Sequence, residues 1–406
     1  MSAATVLRLD TVDHAIRSIA VGHAVVVTGG ENEGGDLVFA VSQAKPELIA
    51  FALRHSRGQV DLPMPEETLD QLTAELLSRD NPASTDPARS RGASVEATDR
   101  ASAAIRALAY EVKRVSADTG RLRPMRTLTG GVLARRRSAE ASVDLARLAG
   151  AAPVGAVVRL VNSDGTRKDG PQLRDFADEH DLLVVSIDSL LAHRHLREEL
   201  VRKTGGTRLP TIYGDFTAHG YRTSVEGVEH VALVLGDLRG DDPVLTRIHS
   251  ECLTGDAFGS RRCDCGPQLQ QALERIHTRG RGVVVYLRGH EGRGIGLAAK
   301  LRAYQLQDAG LDTVDANLEQ GLAADDRHYG DAAQILRDLG VERVDLLTNN
   351  PDKSSALEQF GIGVAHQVPS AVSPNPHNLA YLITKRDRMG HTLPGLDELC
   401  TTAGGR

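Results

Sequence analysis

Cys252, Cys263 and Cys265 crowd into the stretch RIHSECLTGDAFGSRRCDCGPQ, from Arg247 to Gln268, while the fourth cysteine, Cys400, stands almost at the end of the chain. Thiolate sulfur is a soft ligand that suits tetrahedral Zn²⁺. Only Asp264 separates Cys263 from Cys265, so a turn there aims both sulfurs at one ion, and a Gly-containing loop folds Cys252 back to join them. Three sulfurs leave one coordination position open, as catalytic zinc sites do and closed structural sites do not. The cluster therefore predicts a hydrolytic zinc site. Two other readings compete with it. Free cysteines serve as small buried hydrophobes. A disulfide fits less well, because three cysteines cannot all pair and the start of the chain shows no export signal.

Other stretches offer a partner for such a site. In RGHEGRGIGLAAKLRAYQLQDAG, from Arg288 to Gly310, glycines lead straight into a predicted helix. Backbone N–H groups of such a loop can face an anion, and Arg288, Arg293 and Lys300 add charge; the competing reading is a simple chain reversal. AADDRHYGD gathers Asp325, Asp326 and Arg327 beside His328, and by itself reads as a solvated polar loop. LLTNNPDK is a strand ending at Thr348 followed by a polar turn with Lys353. Ligands of α/β folds sit at the carboxyl ends of strands, which makes Thr348 and Lys353 candidate contacts.

The elements that must position these residues follow an α/β pattern. Val12–Gly22, Pro46–His55, Gly130–Leu148 and Pro171–Glu179 read as helices, and Ala24–Thr28, Leu37–Val41, Val154–Val161 and Leu182–Ile187 as strands. Arg79–Gly92, rich in Pro, Ser, Asp and Arg, reads as a mobile surface loop. Leu196–Thr207 reads as a charged helix closed by Gly-Gly, and a linker is expected there. Beyond it, Leu209–Asp215, Tyr221–Thr223, Val231–Leu235 and Gly282–Leu287 read as strands and Pro267–Thr278 as a helix. The Gly-rich tail from Met389 onward, with Cys400 as a bystander, is expected to be loose. At 406 residues the chain is long enough for two or three domains. A formal net charge of −6 argues against a protein that mainly grips nucleic-acid backbone, and without a basic n-region or an apolar run of spanning length the expectation is a cytoplasmic protein with no membrane partner.

From about Thr207 to Gly390 the chain resembles GTP cyclohydrolase II. RIHSECLTGDAFGSRRCDCGPQL, EGRGIGL, LRAYQLQDAG, DTVDAN, AADDR and LLTNNPDK carry the resemblance in order. One departure is GHEGR where many relatives have Q-E-G-R, a residue more ahead of Glu291. The resemblance implies Zn²⁺ on Cys252, Cys263 and Cys265. It implies GTP contacts from Arg247, Ile248, His249, Ser250 and Glu251, from Gln268, from Glu291, Gly292 and Arg293, and from Thr313, Thr348 and Lys353. Asp325 would be the proton acceptor, Arg327 would engage the α-phosphate as nucleophile or charge stabiliser, and Tyr304 would stand by the ring-opening step. Mg²⁺ would accompany the triphosphate.

From about Thr11 to Arg194 the chain resembles 3,4-dihydroxy-2-butanone 4-phosphate synthase, through ENEGGDLVFA, ALRH, GGVL, AEASVDLARLAG and VNSDGT. That family holds Mg²⁺ with a Glu of a D-R-E-N-E-G-D loop and a His of G-H-T-E-A, and uses a Glu in a C-E-L strand. Here Gly30 precedes Glu31, an extra Gly displaces Asp36, Ser138 replaces the His, Arg159 replaces the strand Glu, and Arg121 stands at a further family His. A hard Mg²⁺ needs oxygen ligands and negative charge, whereas Arg121, Arg137 and Arg159 add positive charge and cannot act as bases. The synthase reaction is therefore expected to be lost.

Together the halves predict a mixed α/β chain of two domains: an αβ sandwich over residues 1–200, resembling the synthase and catalytically inactive, and a GTP cyclohydrolase II-like αβ domain over 207–392, with a flexible tail at 393–406. The implied activity takes GTP to 2,5-diamino-6-ribosylamino-4(3H)-pyrimidinone 5′-phosphate, formate and pyrophosphate, and the resemblance suggests a homodimer. The alternatives are a cyclohydrolase serving a specialised pathway or releasing a formylated product, and a non-catalytic nucleotide-binding protein.

Overall fold

The computed structural model describes residues 7–29, 34–55, 59–71, 105, 122–225, 227–322, 325, 327–370, 374–393 and 396. They fall into two compact units, residues 1–194 and 195–406.

The first unit is built on a six-stranded mixed sheet. Its strands are β1 (Val25–Thr28), β2 (Gly35–Ala40), β3 (Val60–Pro65), β4 (Leu122–Thr127), β5 (Gly155–Arg159) and β6 (Leu183–Ser186), in the order β4-β3-β5-β2-β1-β6. The β-branched run Val25–Val27 is fully buried because β1 lies between β2 and β6. Helix Val12–Ala20 starts where Thr11 accepts the His14 N–H, and it buries Val12, Ala15 and Ile19 at helical spacing. Leu37, Phe39, Leu62, Val158 and Phe176 anchor the core.

Two strands of this sheet escape a reading by pattern. β3 and β4 carry Pro63, Pro65 and Pro124, residues that normally argue against a strand. They are tolerated because β4 is an edge and β3 meets β5 only at the Asp61–Val157 pair. The expected Gly130–Leu148 helix is also divided: a 3₁₀ turn covers Gly131–Leu133 and the α-helix begins at Ser138. The Arg79–Gly92 stretch lies outside the described residues.

The second unit is a seven-stranded sheet ordered β13-β12-β10-β11-β9-β8-β7. The strands are β7 (Val201–Thr211), β8 (Gly214–Thr223), β9 (Glu229–Leu235), β10 (Val244–Ser250), β11 (Gly282–Leu287), β12 (Arg343–Leu347) and β13 (Gly363–Val368). β10 runs parallel to both β11 and β12, and β13 runs parallel to β12, while β7, β8 and β9 form an antiparallel extension. Phe216, Leu245, Leu273, Ile276 and Val284 pack between the sheet and helix Cys265–Arg279.

The expected charged helix at Leu196–Thr207 is corrected here. Helix Ile187–Arg197 ends just inside this stretch, and β7 begins at Val201. β7 is an edge strand whose side chains are almost all exposed, so it has no alternation to betray it. Its two glycines mark a register shift between Lys203 and Gly205, and a Cβ on Gly206 would stand 2.6 Å from the His219 ring. Of the expected loose tail, Leu393 and Leu396 are described, and both are buried against Leu382. Cys400 lies outside the described residues.

Candidate functional site

The three parallel strands β10, β11 and β12 end side by side, and the segments that follow them carry the chemistry. Glu251 and Cys252 follow β10, Arg288–Arg293 follow β11, and Thr348–Lys353 follow β12. A cavity opens among these ends, the place where α/β sheets take ligands.

At one end of it the cysteines meet. Ligand atoms of Cys252, Cys263 and Cys265 all lie within 4.8 Å of one another, and Cys252 Sγ is 3.7 Å from Cys263 Sγ. Gly255 makes this possible, because a Cβ there would stand 2.8 Å from Cys263 Sγ and 3.1 Å from Cys252 Sγ. Hydrogen bonds from the Cys263 and Cys265 thiols, together with the Lys300 ammonium, hold Cys252 well below the usual thiol range, while the same contact pushes Cys263 up to about 11. Three convergent sulfurs, one of them beside the Lys300 ammonium, are a donor set that fits a soft or borderline metal ion such as Zn²⁺.

Lys300 differs from its expected place. Rather than flanking a phosphate, its Nζ donates to Cys252 Sγ at 3.0 Å, to Thr254 Oγ1 at 2.9 Å and to Glu291 Oε1 at 2.5 Å. Glu291 also accepts the Leu253 N–H at 2.6 Å, so this carboxylate braces the cysteine loop. Arg288 is displaced as well: it stays half-exposed, 3.9 Å from Glu229 and Glu251, and does not line the cavity. Tyr304 stands beside this group, its hydroxyl 3.4 Å from Thr254 Oγ1, with Arg262 over its ring at 5.1 Å. Burial raises the Tyr304 phenol, which keeps it a proton donor at neutral pH.

Asp256 is a hub that sequence reasoning missed. It accepts from His249 Nε2 at 3.0 Å, from the Cys252 N–H at 3.0 Å and from the Tyr286 hydroxyl at 2.9 Å. The β10–β11 register places His249 opposite Tyr286, and their rings stack at 5.4 Å. His249 is buried, and its Nδ1 has no hydrogen-bond partner among the described residues.

The rest of the cavity is cationic. Arg247 Nη1 donates to the Leu347 carbonyl at 2.9 Å and Nη2 to Gln268 at 2.6 Å; Gln268 in turn donates to Asp264 at 2.7 Å. Lys385 Nζ meets the other Asp264 oxygen at 2.7 Å. Lys353 Nζ donates to the Ile248 carbonyl at 2.9 Å, so Ile248 acts through its backbone and does not line the cavity. Burial pushes the Lys353 ammonium well below its ordinary range. Arg293 takes a left-handed backbone, φ +69°, between Gly292 and Gly294, a conformation rare for residues with a Cβ and concentrated at functional sites. Thr348 closes a turn with Asn350, and Thr313 opens a short helix on the same wall.

Arg327 lines this wall and grips Asp325 in a two-pronged ion pair, Nε to Oδ1 at 2.8 Å with Nη2 on Oδ2. Burial works against the charged guanidinium, but Tyr329 and Asp325 outweigh it and raise Arg327 above its ordinary range. Asp325 itself does not line the cavity. The cavity thus gathers the cysteines, Tyr304, Arg327 and most of the expected nucleotide contacts, with Asp325 and Ile248 one bond behind. Sequence reasoning missed Tyr381, Lys385 and His391, which come from the C-terminal helix Leu379–Met389 and the segment after it. The extra residue of GHEGR is used too: His290 lines the cavity and the Gly289 N–H donates to Glu251 at 2.9 Å.

Comparison with known proteins places both halves of the chain in known families. A family model for GTP cyclohydrolase II matches residues 202–369, and one for 3,4-dihydroxy-2-butanone 4-phosphate synthase matches residues 13–193. The riboflavin biosynthesis protein RibBA of Nocardia farcinica is 48% identical, with 97% of this chain and 98% of that protein covered. RibBA of Salinispora arenicola is also 48% identical, over 98% of this chain and 97% of its own. Among solved structures, RibBX, a two-domain 3,4-dihydroxy-2-butanone 4-phosphate synthase from A. baumannii, is similar with a TM-score of 0.60 at 25% identity, covering 89% of this chain and 100% of its own. Among the described residues no helix is long and apolar enough to cross a membrane.

Proposed function

The chain belongs to the RibBA family of riboflavin biosynthesis proteins, enzymes with GTP cyclohydrolase II activity, and from that premise we propose how its residues divide the work. The second unit hydrolyses GTP to 2,5-diamino-6-ribosylamino-4(3H)-pyrimidinone 5′-phosphate, formate and pyrophosphate, as the first step toward riboflavin. The observation that carries this reading is one cavity with a three-thiol metal site at one end and buried cations along the rest. A purine ring belongs at the first and a triphosphate at the second.

Cys252, Cys263 and Cys265 would hold Zn²⁺, which when bound supplies the Lewis acidity that hydrolysis at neutral pH requires. Glu291 and Asp256 keep the cysteine loop in place through the Leu253 and Cys252 N–H groups. Tyr304, kept protonated by burial, donates to the imidazole nitrogen freed as the ring opens. At the triphosphate, accompanied by Mg²⁺, Arg327 stabilises charge on the α-phosphate. A nucleophilic guanidine would have to be neutral, and the Tyr329 and Asp325 contacts oppose that. Asp325, the carboxylate nearest Arg327, is assigned as proton acceptor for the attacking water. Arg247, Gln268, Arg293, Thr313, Thr348 and Lys353 hold the nucleotide. Incubating the full chain with GTP and Mg²⁺ tests the assignment: formate and pyrophosphate should appear in equal amounts, and release of pyrophosphate alone would refute it.

The first unit is proposed to lack synthase activity. Asp36, which an extra glycine displaces along the acidic loop, pairs across β2 and β5 with Arg159 and is bonded by Arg167 at 3.2 Å. Burial raises its carboxyl, with Ser138, Arg167 and Arg159 as its polar neighbours. A carboxyl so placed is a poor seat for Mg²⁺. Glu31 and Arg121 lie outside the described residues. The full chain given ribulose 5-phosphate and Mg²⁺ should form no butanone phosphate; conversion at a rate matching formate release would overturn this part. The division at residues 194 and 195 is proposed as the functional boundary, and a homodimer as the working assembly.

A further inference from the structure

A second metal-ligating cluster stands apart from the nucleotide cavity. His195, His328 and Asp331 offer ligand atoms within 4.8 Å of one another, and none of the three lines the cavity. They come from separate places: the end of helix Ile187–Arg197, the loop just after Arg327, and the first turn of helix Gly330–Asp338. His195 Nδ1 is 4.0 Å from Asp331 Oδ1. Its ring occupies the space beside Gly330, where a Cβ would stand 2.4–2.6 Å from the ring atoms, so this approach exists only because residue 330 has no side chain.

The carboxylate is held as metal-binding carboxylates are held. Asp331 Oδ2 is 3.3 Å from His230 Nε2, and the Arg288 N–H donates to His230 Nδ1 at 3.2 Å. Because Nδ1 accepts, Nε2 carries the proton and donates to Asp331. His230 is therefore a fixed supporting donor and not a ligand, the arrangement that orients ligands from a second layer. Asp331 Oδ1 stays directed at His195. His328 Nδ1 is buried and has no hydrogen-bond partner among the described residues. Two imidazoles and one carboxylate match the borderline divalent transition ions better than Mg²⁺ or Ca²⁺, which prefer all-oxygen shells. Arg327 next door is neutralised by Asp325, so it does not oppose a cation here.

We propose that His195, His328 and Asp331 form a second site for a borderline divalent ion of the Zn²⁺ class, distinct from the cysteine trio, which fastens the loop bearing Arg327 to the start of helix Gly330–Asp338.

The experiment is metal stoichiometry on the full chain, equilibrated with Zn²⁺ and, in parallel, with Co²⁺, then freed of unbound ion. The wild type should hold two equivalents. His328→Gln and Asp331→Asn should each hold one, and with Co²⁺ that equivalent keeps the thiolate charge-transfer absorption. Cys263→Ser should lose that absorption while keeping an equivalent that disappears when His328→Gln is added. A wild type holding a single, thiolate-bound equivalent overturns the proposal whatever the variants do, as does retention of two equivalents by both His328→Gln and Asp331→Asn.

Discussion

Gly255 shows how little space the cysteine trio has to spare. Its backbone is compatible with alanine, so in Gly255→Ala only the clash of the new Cβ with Cys263 and Cys252 acts. Overpacking of this kind costs about 1–3 kcal/mol, which should weaken zinc binding roughly 5- to 150-fold, measured by competition with a chelator. Tyr304→Phe keeps the ring under Arg262 and removes only the hydroxyl near Thr254. Ring opening should slow about 100-fold, and mass spectrometry should find a formylated intermediate; unchanged formate release would remove Tyr304 from the chemistry. The thiol site was legible because three soft ligands in one short stretch have few other uses. Lys300 was misplaced for a physical reason. Its neighbours in sequence are the glycines of GRGIG, but the helix beginning at Leu297 turns its side chain toward Cys252. Asp256 was invisible because its role lies in three hydrogen bonds from partners on separate segments.

Among the elements, β11 was read at its observed bounds, since Gly282–Leu287 is a continuous apolar run between polar turns. β3 and β4 were hidden by prolines, and β7 by exposure and by glycines that mark a bulge rather than a helix end. Helix Leu379–Met389 is the element whose function no pattern announced. Its Lys385 looks like surface charge in KRDRMG, yet it is buried and bonded to Asp264, the residue between two zinc-binding candidates. Lys385→Met should leave Asp264 charged and unpaired in a buried setting, at a cost on the order of 3 kcal/mol. Denaturant unfolding should report that loss, and the KM for GTP should rise. An unchanged midpoint would show that Gln268 and Arg247 suffice to hold Asp264.

For the whole molecule, the two units meet the same scaffolding demand separately. Each has its own mixed sheet and buried core, so the fold class could be read from strand–helix alternation in both. The second brings its chemistry-bearing residues to the carboxyl ends of parallel strands; in the first, Asp36 lies opposite Arg159 and is bonded to Arg167. The central claim is that the thiol cluster opens the purine ring while a separate cationic wall cleaves the triphosphate. The most direct test is Cys263→Ser in the full chain, with formate and pyrophosphate released from GTP measured side by side. Formate should vanish with the bound thiolate-site zinc while some pyrophosphate release persists. Formate release at the wild-type rate from a variant lacking that zinc would contradict the account.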